Sequence, residues 1–402
     1  MKTIRIQKNG NICIYLAIIT AVLSFSINER LGNICSYLMY VFFFLIIMEI
    51  IFKSGKIIRV NRTVYYMVGV YIIWWILTKI LYQTGVYMSS GIGVVGFLRY
   101  CIIFYILGLN LRIDNTGGLI KKMSLSFAIG QMLLMVTLLP KVNEISTYFY
   151  QFGAKNQMGQ MLGIGIILDL FILPELFDGV SRKVVFYGLG TISLIALMLI
   201  HSRTPIIAIV VVSLITFIFK PDKEFKQYMH LLGIVIVACL VIHYMGGMEY
   251  IKELFSSSEY SDLQGADAML SGRLGLWEIA IKDFLQNPLV GVGAWAYIDN
   301  FILNTLRCGG IILAILIFPI AYGKLLFSFL RAKRYVNNKT VTNGQRITSQ
   351  ILWGMIPFYL VISFMEGYPP LGPGSSLFFL WIMIGIFDTE RGKNGFSNYT
   401  DL

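Results

Sequence analysis

The chain has 402 residues, of which 57% are hydrophobic and only 13% charged, with a formal net charge of +12. An ordinary soluble domain carries roughly a quarter charged residues, so this composition excludes a soluble fold and points to repeated passage through a bilayer. The surplus of Lys and Arg fits the loops of a membrane protein better than a nucleic-acid surface.

In chain order, apolar runs long enough for a hydrocarbon layer of about 30 Å lie near 11–27, 33–52, 63–82, 91–110, 121–139, 157–173, 184–200, 204–219, 229–246, 300–328, 350–366 and 374–387. The expectation is an all-α, polytopic integral membrane protein of about twelve transmembrane helices, forming a single membrane domain over 1–402. The basic start, Met1 to Asn11, resembles a secretory signal. No convincing small-x-small cleavage site follows it, so it is read as leading into the first span. The five cysteines, Cys13, Cys35, Cys101, Cys239 and Cys308, lie in apolar stretches without CxxC spacing and read as small core residues.

With the N-terminus placed inside, 22 of the 33 Lys and Arg fall on cytoplasmic segments and 7 on external ones, while Lys79, Arg99, Arg307 and Lys324 fall within spans. This bias predicts that both termini are cytoplasmic. One long external loop is expected over 247–299, a cytoplasmic loop over 331–349 and a cytoplasmic tail over 388–402. No repeat and no matched pair of interrupted helices stands out, which weakens an inverted-repeat transporter.

Three features converge on the external face. His201-Ser202-Arg203-Thr204-Pro205 forms a short turn between spans, with Pro205 suited to the first turn of the next helix. Arg203 would then stand at a helix N-terminus, where the dipole already favours an anion; a snorkelling arginine is the plainer reading. Within the long loop, about 271–286 forms a short amphipathic helix with Leu274, Trp277, Ile281, Phe284 and Leu285 on one face, ending at Asn287-Pro288. Arg273 in its first turn is unfavourable for the helix dipole unless an anion binds beside it, an ordinary solvated charge being the alternative. Gly291-Val292-Gly293 leads to Asp299-Asn300 at the membrane boundary. It follows a helix and a proline, not a strand, so it is no dinucleotide fingerprint; its value is a tight approach to the membrane. Asp299 is a candidate base, or simply the cap of the following helix.

The stretch Gly247–Ile298 carries seven acidic and three basic residues, so a few placed arginines would have to bind an anionic ligand there. Arg99 is costly mid-span and is either a second contact to that anion or a buried partner of Asp169. Arg307 likewise needs a partner, and Glu366 before the Gly/Pro-rich turn could pair with an arginine. Three histidines without ligand spacing argue against an obligatory metal, and no cofactor is expected.

At these residues the chain resembles the bacterial O-antigen polymerase and O-antigen ligase superfamily, mainly in its second half. Ala154-Lys155-Asn156-Gln157 looks like the family's Lys-Asn segment, and Ser202-Arg203-Thr204 looks like its Ser-Arg-Thr turn. Ser271-Gly272-Arg273, Trp277 and Asn287-Pro288-Leu289-Val290-Gly291-Val292-Gly293 look like its loop helix and Pro-x-x-Gly-x-Gly signature.

The resemblance implies a GT-C-like, metal-independent, inverting glycosyltransferase at the outer face of the bacterial cytoplasmic membrane. Its expected partners are polyprenyl-diphosphate-linked repeat units and membrane lipid, with a flippase and a chain-length regulator as protein partners and no nucleic acid. Carried over by motif, Arg203 and Arg273 would hold the donor diphosphate, with Arg99, Lys155, Asn156, Asn300 and Glu366 as further substrate contacts. Ligases usually have His-Asn where this chain has Asp299-Asn300, which favours a repeat-unit polymerase with Asp299 as base. The alternatives are a ligase moving a finished glycan and, of another class, a lipid-linked-glycan flippase.

Overall fold

The structure, a computed structural model, describes residues 8–54, 58–81, 93–111, 116–142, 155–219, 273–293, 298–336, 338, 341–372 and 377–390. Among these residues the chain is all-helical, with no strand. Its helices are α1 (Lys8–Leu23), α2 (Glu29–Ser54), α3 (Arg62–Leu81), a 3₁₀ turn Gly93–Phe97 running into α4 (Leu98–Asn110), and α5 (Thr116–Val136). Next come α6 (Lys155–Ile167), a π-helical segment Leu168–Ile172, the single turn α7 (Leu173–Leu176), α8 (Val180–Leu199) and α9 (Arg203–Phe219). After these follow α10 (Arg273–Gln286), α11 (Phe301–Phe318), a second π segment Pro319–Lys324, α12 (Leu325–Val336), α13 (Asn343–Ser363) and α14 (Phe378–Glu390).

The expected count of about twelve spans is not met. Among the described residues seven helices are long and apolar enough to cross a membrane. The runs at 11–27, 204–219 and 374–387 become shorter apolar helices, Ile12–Leu23, Arg203–Thr216 and Phe378–Thr389. At about 1.5 Å per residue, the described part of each is shorter than the hydrocarbon layer. The run at 350–366 belongs to α13, whose first turns carry Asn343, Gln345, Arg346, Ser349 and Gln350 and dilute its apolar character. The run at 229–246 lies outside the described residues, as do the first seven and last twelve positions and most of the expected external loop. The connector expected over 331–349 is mostly helix, because α12 continues to Val336 and α13 starts at Asn343 with a Thr342/Gln345 capping box.

The apolar residues are arranged for lipid outside and close packing inside. Tyr37, Phe44, Phe52, Tyr65, Val184, Val185 and Ile192 on α2, α3 and α8 are exposed, as befits a surface facing acyl chains. Residues 377–387 are buried throughout, and most of α13 and α6 is buried with them. Association inside a bilayer depends on packing more than on expulsion of water, so small residues set how closely helices approach. Among the described residues, α4 and α14 cross closely. A Cβ on Gly108 would stand 2.2 Å from the Ile382 carbonyl oxygen, and one on Gly385 would stand 2.4 Å from that of Tyr105.

Gly108→Ala should therefore force α4 and α14 apart at a cost of about 1–3 kcal/mol. It would be read as a lowered thermal midpoint of the detergent-solubilised protein. Gly188→Ala on α8, where nothing lies within 4 Å of the added methyl, serves as the control and should leave the midpoint in place.

Candidate functional site

The site is built on an interruption of α11. Gly310 has φ 62° and ψ −159°, which ends one helical run and starts another within the element. The backbone groups released there are taken by the segment that follows α10. Val292 N–H donates to the Arg307 carbonyl (2.7 Å) and Gly293 N–H to that of Cys308 (3.1 Å). In return, Ile311 N–H donates to the Pro288 carbonyl (2.9 Å) and Ile312 N–H to that of Leu289 (3.2 Å). This exchange explains the Pro-x-x-Gly-x-Gly spacing. A Cβ on Gly291 would lie 2.4 Å from the Arg307 oxygen, and one on Gly310 would lie 2.4 Å from the Leu289 backbone. Both glycines also have positive φ, where other residues are strained. The motif is thus a backbone lock, more than the flexible approach its composition suggests.

The lock fixes α10 against α11, and a 2.7 Å ion pair from Arg307 Nε to Asp283 reinforces it. That pair supplies the partner Arg307 needs within its span. The other end of α10 then delivers Arg273 to two carboxylates: Nε lies 3.4 Å from Asp299 Oδ2, and Nη2 lies 3.8 Å from Glu366 Oε1. All three side chains are largely buried, at 19%, 25% and 8% exposure. Trp277 Nε1 donates to the Asp299 carbonyl at 3.2 Å and holds the carboxylate-bearing turn to α10.

Asn300, not Asp299, caps α11. Its Oδ1 accepts from Leu303 N–H and its Nδ2 donates to the Phe364 carbonyl. Asn304 Nδ2 donates to the Gly367 carbonyl, so α11 and the Phe364–Gly372 turn are stitched together beneath the charged cluster. Tyr368 lies on this turn; burial, then nearby Cys308 and Asp299, push its hydroxyl above the ordinary range.

A second grouping forms where α6, α8 and α9 meet. Ser202 lies against the first turns of α6, since a Cβ on Gly159 would meet its Oγ at 2.2 Å. His201 adopts φ 51°, an uncommon left-handed conformation for this residue type. Burial first, then Lys155 and Arg203 close by, lower its pKa to about 4, so the imidazole is neutral at physiological pH. Lys155, His201 and Arg203 therefore come together. The sequence singled out two of these three; its only clue to the histidine was its place beside Arg203. Gln157 and Gln160 on α6 were also missed as site candidates, and their Oε1 atoms are buried without a hydrogen-bond partner among the described residues. Gly163 touches both Pro205 and Phe358, which puts this grouping at the same end of the bundle as the Phe364–Gly372 turn.

Two expected contacts fall elsewhere. Arg99 is exposed in the first turn of α4, where its Nη2 donates to the Tyr100 hydroxyl (3.0 Å) and its guanidinium stacks on that ring (4.7 Å). It makes no pair with Asp169, which is fully buried beside Gln131 in the π segment of Leu168–Ile172. The reason is depth: the 3₁₀ turn delays the start of α4, so Arg99 sits near a helix end and reaches out. Its neighbour Phe97 packs under the Tyr368 ring (4.7 Å), so Arg99 still belongs to the same end. Asn156 is exposed beside Lys155.

Residues 189–318 match the family model described as O-antigen ligase. That partial match supports membership of the O-antigen ligase and polymerase superfamily. The segment is about a third of the chain and contains Arg203, Arg273, Asp299, Asn300 and the whole backbone lock; Arg99, Lys155, Asn156 and Glu366 lie outside it. No curated protein matches the chain. The helices describe a multi-pass membrane protein, and the match supports a general repeat-unit transfer role in polysaccharide biosynthesis.

The depressed His201 pKa has a measurable consequence. Its imidazole titrates near 6.5 when unfolded and near 4 when folded, so between these values the unfolded chain binds the extra proton. Stability should fall as pH drops from 6.5 towards 4. His201→Asn, chosen because Asn tolerates the same backbone conformation, should flatten the thermal-midpoint slope over that window.

Proposed function

We propose that this protein is a membrane glycosyltransferase that moves a glycan from a polyprenyl-diphosphate carrier onto a sugar hydroxyl at the external face. The observation that carries the reading is Arg273, held by Asp299 and Glu366 within the segment that matches the O-antigen ligase family. A guanidinium suits a diphosphate because its planar fork makes paired, charge-assisted bonds and it stays ionised. In the structure its charge is met by Asp299 and Glu366. An arriving diphosphate takes their place on the arginine and releases Asp299 at the point where the acceptor hydroxyl must lose a proton.

The acceptor oxygen then attacks the anomeric carbon from the face opposite the phosphate. The bond from that carbon to the phosphate oxygen breaks, the lipid diphosphate leaves with the electron pair, and the hydroxyl proton passes to Asp299. Configuration inverts, and no metal is needed. Arg273 and Arg203 meet charge that grows as the glycosidic bond breaks, so they favour the transition state over the bound donor. Lys155, Asn156, Asn300, Glu366 and Arg99 complete the substrate contacts at this end of the bundle.

Transfer of a finished glycan to a different acceptor, the ligase reaction, is the leading reading because the matched family is a ligase family. Stepwise polymerisation of repeat units is the second, favoured by Asp299 standing where ligases of the superfamily carry histidine. The bacterial cytoplasmic membrane is the compartment where such donors occur.

The test is transfer from lipid-diphosphate-linked glycan by purified protein in liposomes. Arg273→Ala should lower turnover by about 10²–10³, with Arg273→Lys between it and wild type. Asp299→Asn should lower it by at least about 10². Wild-type turnover from folded Arg273→Ala would overturn the proposal. Product length decides between the readings: a single product with a changed carrier supports a ligase, and a growing ladder supports a polymerase.

A further inference from the structure

The opposite end of the bundle carries a second charged cleft that the transfer reaction does not use. The helices α4, α11–α12 and α14 all start at the end bearing Phe97, Asn300 and the Phe364–Gly372 turn. They run away from it to Asn110, Val336 and Glu390. Near their far ends, Asp388 accepts from Lys324 Nζ (2.5 Å), Arg331 Nη1 (3.0 Å) and the Tyr105 hydroxyl. Asn61, just ahead of α3, donates to the same hydroxyl. Between α3, the π segment Pro319–Lys324, α12 and α14 lies a cavity of about 630 Å³. Its lining includes Arg62, Tyr66, Lys324, Phe327, Arg331 and Asp388. That volume falls within the roughly 300–1,000 Å³ typical of sites for small ligands.

Two features make the cavity a site for an anion. Its lining holds three cations and one carboxylate, leaving two positive charges unmatched where the surroundings are largely apolar. Arg331 also keeps its Nε buried without a hydrogen-bond partner among the described residues, while its guanidinium stacks on Phe387 at 3.8 Å. A third feature selects the kind of anion. Tyr66 and Phe327 form part of the wall and are 42% and 52% exposed on helix faces that meet lipid. The cleft is therefore polar at its floor and apolar at its mouth, which suits an amphiphile.

We propose that this cleft binds the phosphate headgroup of an anionic phospholipid, with Arg62, Lys324 and Arg331 on the phosphate and Tyr66 and Phe327 against the start of the acyl chains. Basic pockets between transmembrane helices on the cytoplasmic side are a known mode of headgroup recognition, and the basic residues gathered at this end, Arg59, Arg62, Arg331, Lys333 and Arg334, assign it to that side.

Purified full-length protein would be titrated with phosphatidylglycerol and with phosphatidylcholine of the same chain length, and bound lipid counted by native mass spectrometry. Wild type should retain phosphatidylglycerol preferentially. Arg62→Ala, at an exposed position that leaves the Asp388 pairs intact, should weaken that retention about fivefold, and Arg62→Lys should restore most of it. Equal retention of the two lipids by wild type would overturn the proposal, as would an unchanged affinity in folded Arg62→Ala. A third arm adds inorganic phosphate in large molar excess. Failure to displace the lipid supports the headgroup assignment, whereas full displacement assigns the cleft to a free anion and overturns it.

Discussion

The backbone exchange between residues 288–293 and the break in α11 is the constraint on which the rest of the site depends. A helix interrupted inside a membrane protein exposes carbonyls and amides that water does not reach, and each one left unpaired is costly. Here the interruption is filled by another part of the same chain, four hydrogen bonds in two directions. The break and its filler require each other. Without Gly310 in its left-handed conformation the donors on Ile311 and Ile312 would turn back into α11, and without Gly291 the filler could not come close enough to use them. Because α10 ends directly in this segment, its orientation is set by backbone geometry, with the Arg307–Asp283 pair as a second fastening.

That rigidity matters for what Arg273 can do. A guanidinium between two carboxylates in a largely buried position is not a surface ion pair of negligible worth; removing either partner leaves charge poorly solvated. Arg273 faces both carboxylates, Asp299 and Glu366. The cations of the other grouping, Lys155 and Arg203, stand at the same end, with the neutral His201 between them in sequence and in electrostatic reach. In the proposed reaction, an anion entering from the membrane surface meets arginines from two directions, one of them already balanced by the carboxylates of Asp299 and Glu366.

The sequence made the membrane character legible at once, because composition and apolar runs do not depend on tertiary detail. The helix count was not legible in the same way. Hydropathy reports that a run is apolar, but within the described residues the apolar helical stretches of α1, α9 and α14 are short. For α13 the opposite holds: Gln345, Thr348 and Ser349 in its first turns are buried in protein while Asn343 and Arg346 are exposed, so a burial that hydropathy cannot see lets part of a polar sequence sit within the bundle. In the site, Arg203 and Arg273 were visible as charges misplaced by helix-dipole rules. Glu366 was visible as a carboxylate near the external face in search of a cation. His201 was invisible as chemistry, because its altered proton affinity arises first from burial and then from Lys155 on α6 and from Arg203, and its sequence neighbours announce neither the burial nor Lys155. Arg99 misled for the same reason in reverse: counted into a long span it looked buried, whereas the 3₁₀ turn places it at a helix start.

One rod joins the two ends of the molecule. Phe301–Val336 begins at the Asn300 cap beside Asp299, passes through the lock at Gly310, and ends with Lys324 and Arg331 around Asp388. A regular α-helix would not deliver all of these to their partners. Each residue added to a helix turns the following ones by about 100°, and a π segment accommodates one such addition without breaking the helix. The π segment Pro319–Lys324 therefore rotates everything beyond it relative to Arg307 and the lock. It starts at Pro319, whose missing N–H already removes one hydrogen bond and makes the wider winding cheap at that point. The change in winding that brings Lys324 round to Asp388 also opens the wall of the basic cleft at Pro319, Ile320 and Gly323. A single local departure from α-helical geometry thus accounts for both the buried carboxylate's partners and the cavity beside them.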